Sequence, residues 1–108
     1  MTNIKHDDYV ANRIKDDPAF ERLYLKECFA DEDPRVAMLA LSHVAKARGL
    51  SERQLALKAG ITPMALNRIF NSGNPTWKSL RKILAAMDIR VLAVFETRKS
   101  SNKKTKQA

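Results

Sequence analysis

Hydrophobic positions from Pro34 to Met87 recur every three or four residues and break only where Gly, Pro and small polar residues gather. Val36, Ala37, Ala40, Leu41 and Val44 predict a helix from Pro34 to Arg48, started by Asp31-Glu32-Asp33 and ended by Gly49. Ser51 caps a second helix that stops at Gly60, and Thr62-Pro63 opens a third one three residues after the second. The turn formers Asn71-Ser72-Gly73-Asn74-Pro75 follow. Thr76 then caps a helix from Trp77 to Met87 with Leu80, Ile83, Leu84 and Met87 on one stripe. Upstream, Asp16-Asp17-Pro18 starts a helix ending near Ala30, with Phe20, Leu23, Tyr24, Leu25, Cys28 and Phe29 as a broad apolar face. Met1 to Lys15 shows no clear period and is expected to be loosely ordered.

Ile89 to Phe95 reads as a strand, because β-branched residues alternate there and Arg90 is the one charge. A lone strand leaves its backbone groups unpaired, so we expect it to pair across a subunit boundary, with its own copy in a homodimer or with another protein. A partner strand within the first ten residues, or a final helical turn, would serve equally. Thr97 to Ala108 has no large apolar residue and five Lys or Arg, which makes it a disordered basic tail. The expected fold is thus mainly α, with five helices over residues 16–96 and a C-terminal β-strand.

The stretch from Ser51 to Phe70 is the most specific. Its three-residue joint forces two short helices to cross closely, so residues at the crossing must be small or apolar, as Leu55, Ala56, Ala59, Ile61, Leu66 and Ile69 are. This is helix-turn-helix spacing, although a plain αα-hairpin satisfies most of it. By elimination Pro63, Met64, Asn67, Arg68 and Asn71 face outward, on the side that would enter a DNA major groove.

Charge strengthens that reading. Residues 1–34 carry five Lys or Arg against nine Asp or Glu, whereas residues 35–108 carry fifteen against three. Such segregation gives the second part of the chain a field that attracts polyanions, with a solvated basic surface as the plainer account. The free N–H groups at the start of the Trp77 helix, beside Asn74 and Lys78, suit a phosphate. Trp77 itself is expected to cover the core edge, its other option being the DNA backbone.

Other chemistry finds little support. Cys28 is the only cysteine, which excludes an intramolecular disulfide and a cysteine zinc site and suits a reducing cytoplasm. His6-Asp7-Asp8 cannot converge on one ion without further ligands, so neither a metal nor a cofactor is expected. His43 has no nucleophile or carboxylate placed to work with it and is expected to be a packed or half-exposed side chain, not a catalytic base. An enzyme is therefore not expected. No apolar run has the length of a signal-peptide core or a membrane span, and a cytoplasmic protein is anticipated.

Asp33-Pro34 opening a helix, Ala47-Arg48-Gly49-Leu50-Ser51 before the two-helix stretch and Gly73-Asn74-Pro75 after it carry a resemblance. Over Phe20 to Val94 the chain resembles the addiction-module antidotes of bacterial toxin-antitoxin systems, close to the higA type, within the phage-repressor-like (lambda-repressor-like) helix-turn-helix class. The resemblance implies a repressor of its own operon that also binds a small basic toxin, commonly of the relE/higB-like kind. It implies groove-facing Thr62, Pro63, Met64, Asn67 and Arg68, and phosphate contacts at Arg53, Asn71, Asn74, Thr76 and Lys78. Glu52 departs from the wider class, which commonly has Gln beside the DNA backbone at that point. Pro63 and Met64 are poor hydrogen-bond readers, so base recognition falls on Asn67 (adenine) and Arg68 (guanine). The acidic first third, with its apolar helix, suits a basic toxin, although some of its acids must cap helices at Asp17 and Asp33. A homodimer on a palindromic double-stranded operator is expected, since one short helix reads too few base pairs. The alternatives are an interaction protein devoted mainly to sequestering a toxin and a phage-type repressor with no toxin partner.

Overall fold

Six helices form among the described residues, one more than the periodicity predicts: α1 (Thr2–Asp16), α2 (Pro18–Phe29), α3 (Pro34–Ala47), α4 (Glu52–Ala59), α5 (Pro63–Ser72) and α6 (Trp77–Ala86). The computed structural model describes residues 2–97, with side chains from residue 8 onward, so the expected basic tail lies almost wholly outside the described residues. The added helix is α1, where a loosely ordered segment was expected. Val10, Ala11 and Ile14, three or four apart, are buried on it. That stripe is narrow and set among charges, so it acquires its value only from α3 and α2, against which α1 packs.

The central layer is α3, which packs against α1, α2, α4 and α5. Its good helix formers place Ala40, Leu41 and Val44 fully inside, with Ala37, Met38 and Ala45 beside them. Leu55, Ala56, Leu66, Ile83 and Met87 from the later helices complete the same core. Leu39, on the far side of α3, is 53% exposed.

Asp17 and Asp33 start α2 and α3 as their sequence context predicts. The Asp17 carboxylate accepts the N–H groups of Ala19 and Phe20 at 3.1 and 3.2 Å, and Asp33 accepts that of Arg35 at 3.0 Å. Arg35 returns its guanidinium to the same carboxylate at 2.9 Å, which lowers the pKa of Asp33 and raises that of Arg35. No residue of α2 is fully buried. Its expected broad apolar face is only partly used: Phe20, Tyr24 and Leu25 pack on the core, whereas Leu23 and Phe29 are exposed. Phe20 and Tyr24 stack at 5.8 Å, and the Arg13 guanidinium lies over Phe20 at 4.4 Å. The Tyr24 hydroxyl shares a 2.6 Å hydrogen bond with Nδ1 of His43, which is buried, so this imidazole is a satisfied core group. Burial raises the Cys28 thiol from its ordinary value and keeps it protonated at neutral pH.

Two expectations fail at the C-terminal end. Residues 89–97 form no strand among the described residues. Every other described element is helical, so no sheet edge exists among the described residues to receive their N–H and C=O groups. Trp77 does not cover the core edge and is 59% exposed. It stands with Arg81, Ala85 and Asp88 on the flank next to the buried stripe of α6. Asp88, at φ 60°, ends that helix, and the Ile89 N–H reaches back to the Leu84 carbonyl at 2.9 Å. Arg48 ties this end down by donating to the Met87 carbonyl and to the Glu21 carboxylate, joining α6 to α2.

Gly73 closes α5 at φ 71° directly against α3; an added Cβ would lie 2.7 Å from Cγ of Arg35 and 3.0 Å from its backbone nitrogen. Gly60 shares the positive φ but would meet nothing within 4 Å. Gly60→Ala should therefore cost about 1 kcal/mol from strain alone, and Gly73→Ala about 2–3 kcal/mol, as read by denaturant unfolding. Asp33 has its folded pKa below the unfolded one, so its contribution is complete above the carboxylate range and disappears as the pH falls through the folded value. The melting-temperature gap between the native chain and Asp33→Asn should accordingly shrink on acidification.

Candidate nucleic-acid interface

The α4–α5 unit is set by three local devices. Ser51 accepts the Gln54 N–H at 3.1 Å while the Gln54 side chain accepts the Ser51 N–H at 2.9 Å, a reciprocal capping box. Gly60 takes φ 77° at the end of α4, and the Ile61 N–H bonds back to the Ala56 carbonyl at 3.0 Å. Thr62 then accepts the Ala65 N–H at 3.0 Å and Pro63 occupies the first turn of α5. Ala56 is completely buried at the joint, as its small size requires.

On α5 only Leu66 is buried, with Ile69 and Phe70 partly covered. Pro63, Met64, Asn67, Arg68 and Asn71 therefore point outward, and all are exposed. Asn71 donates from Nδ2 to Oδ1 of Asn67 at 3.1 Å. This bond braces the Asn67 carboxamide and leaves its own NH2 for an acceptor. Thr62, Arg53, Asn74, Thr76 and Lys78 are exposed too. The four residues from Gly73 to Thr76 connect α5 to α6, so Asn71, Asn74, Thr76 and Lys78 sit on one loop and the helix ends that flank it. The Thr76 hydroxyl is occupied locally, accepting the Ser79 N–H at 3.0 Å and donating to Oγ of Ser79 at 3.1 Å, so a ligand would meet its backbone.

The ion pairs divide the basic residues in two. Lys46 bonds Asp8 on α1 at 2.5 Å, Arg48 bonds Glu21 on α2, and Arg35 bonds Asp33. All three cations lie on or just after α3. On α4, α5 and α6, by contrast, Arg53, Lys58, Arg68, Lys78, Arg81 and Lys82 are exposed and make no ion pair among the described residues. Sequence composition detects the excess of charge but not this division, which depends on which acids the fold carries to which cations. Glu52 is the one acid in α4, exposed at its N-terminus, where the helix dipole favours it. Among the described residues no three His, Cys, Asp or Glu gather as a metal site, and no helix is long and apolar enough to cross a membrane.

Comparison with known proteins places this architecture. A curated protein of Haemophilus influenzae (strain Rd), itself an uncharacterized protein, is 30% identical over 91 residues, covering 83% of this chain and 91% of that one. No solved structure gives a significant match. The family model for probable addiction module antidote proteins matches residues 5–95, from within α1 to the end of the apolar segment after α6. On that match, which spans all six helices, the chain belongs to the probable addiction module antidote protein family.

Proposed function

We propose that the protein is a cytoplasmic antitoxin that also represses its own operon, with α4 and α5 acting as a helix-turn-helix of the phage-repressor-like, higA-like kind. In this reading α5 enters the major groove of a palindromic operator, once from each half of a homodimer. The observation that carries it is that the polar flank of α5 is exposed and that the same unit and the helix after it, α4, α5 and α6, carry six exposed cations with no ion pair among the described residues. Family membership supports a toxin partner, here a small basic protein of the relE/higB-like type. The role is one of binding, not catalysis.

The division of labour follows from chemistry. Arg53, Asn71, Asn74, Lys78 and the backbone at Thr76 hold phosphates and set register. Arg68 offers a fork that fits guanine O6 and N7, and Asn67 offers the NH2 and carbonyl that fit adenine, provided Asn71 yields or shares the carbonyl. Thr62, Pro63 and Met64 supply shape and apolar contact. Met64, 71% exposed at the start of α5, suits a thymine methyl.

Toxin capture by the N-terminal half has its own support. Leu23, Phe29 and Leu39 are exposed there, and so are Glu27, Asp31 and Glu32. Apolar groups among acids suit a basic partner, and this function coexists with DNA binding by α4 and α5.

Gel shifts on the DNA upstream of the protein's own reading frame test the repressor reading, with salt varied. Arg68→Ala should weaken the operator complex by about 1–3 kcal/mol and hardly alter binding to random DNA. Lys78→Ala should weaken both alike and lower the salt slope by about 1. Equal losses on both DNAs for Arg68→Ala would remove the base-reading role.

A further inference from the structure

The segment after α6 is an apolar feature that the described fold leaves uncovered. Val91, Leu92, Val94 and Phe95 are 48%, 81%, 95% and 89% exposed, an unusual density for a surface segment. No described hydrogen bond engages the backbone N–H of residues 90–97. Ile89, Arg90, Val91, Ala93 and Phe95 line a groove of about 630 Å³ together with Trp77 and Leu84, whereas Leu92 and Val94 do not. From Val91 to Phe95 the segment thus alternates between two faces, as a strand does, although it has no strand partner among the described residues.

Its charges show what partner would fit. Three residues before and after Ala93 stand Arg90 and Glu96; five before and after stand Asp88 and Arg98. Each pair is opposite in sign, so the sequence is complementary to itself when run antiparallel about Ala93. Moving the centre to Leu92 sets Asp88 against Glu96, and moving it to Val94 sets Arg90 against Arg98. A parallel, in-register pair would oppose every charge to its own kind, which destabilises a ladder. Ala93, the smallest side chain of the segment, is also the one that would meet its own copy.

We infer that residues 89–97 of two copies pair as an antiparallel two-stranded ribbon centred on Ala93, with Arg90 of each copy opposite Glu96 of the other. This gives the homodimer of the preceding section its contact and rests on that two-fold reading. Pairing about a residue preserves alternation. Val91 then meets Phe95 on the face toward the groove and Leu92 meets Val94 on the other, so from Arg90 to Glu96 every cross-strand pair is apolar or oppositely charged, with Ile89 opposite Thr97 at the ends. The ribbon also supplies the hydrogen-bond partners that each protomer lacks.

The full-length chain tests this by sedimentation velocity across a concentration series. Arg90→Glu and Glu96→Arg should each raise the dimer dissociation constant by at least about tenfold, because each places two like-charge pairs in the ribbon. The double variant should return it to within about threefold of the native chain. In a Cys28→Ser background Ala93→Cys should form a dimeric disulfide under mild oxidation, since directly opposed residues lie about 4.5–5.5 Å apart between Cα atoms, within disulfide reach. Leu92→Cys, opposed to Val94, should do so far more slowly. Circular dichroism of each variant checks that the helices are intact. A chain that is monomeric throughout, a double variant no better than the singles, or Leu92→Cys linking as fast as Ala93→Cys would overturn the register. Operator binding by the native chain, measured separately, shows whether the repressor reading falls with it or stands alone.

Discussion

Leu66 is the residue on which the candidate interface depends. It is the only side chain of α5 that is completely enclosed, and it plugs the angle among α3, α4 and α5. A ten-residue helix anchored by one buried leucine and two half-buried neighbours has a single inward direction. Everything not on that side is outside, and the outward set includes Asn67, Arg68 and Asn71. The tight joint through Gly60 and the close approach of Gly73 to Arg35 hold both ends of the helix, so its polar flank is presented by a braced element and not a mobile loop.

Charge is organised by the same packing. Glu21 and Asp8 reach the cations on and after α3, and Arg48 draws the end of α6 into that network. These exposed pairs add little stability individually. Their larger consequence is to occupy the cations on and just after α3, whereas Arg53, Lys58, Arg68, Lys78, Arg81 and Lys82 on α4, α5 and α6 pair with no acid among the described residues. The unpaired cations thus belong to the two-helix unit that presents the outward flank of α5 and to the helix that follows it.

The helix count and the C-terminal segment show where local pattern and tertiary packing part company. Val10, Ala11 and Ile14 make a stripe too narrow to stand out among the charges of the first fifteen residues, and it becomes a helix face because α3 and α2 pack against α1. Residues 89–95 have strand composition, yet composition cannot supply a second edge. The Phe20 to Phe29 face was legible as apolar, but the core has room for only part of it, so Leu23 and Phe29 remain at the surface. Trp77 departs in the same direction, since Ile83, Leu84 and Met87 supply the buried stripe while Trp77 stays exposed.

Caps, turns and period are local properties, settled within four residues of backbone, and the sequence alone determined them for α2 to α6: Asp17, Asp33, Ser51, Thr62 and Thr76 begin helices where their context says they must. The outward flank of α5 was equally determined, because a helix with one apolar side and a three-residue joint has one way to pack. Only the tertiary structure decided that residues 2–16 form a helix, that His43 is satisfied by Tyr24, and which cations remain unpaired among the described residues. Those outcomes depend on residues distant in the chain meeting at hydrogen-bonding range, and no local pattern specifies which distant group will arrive.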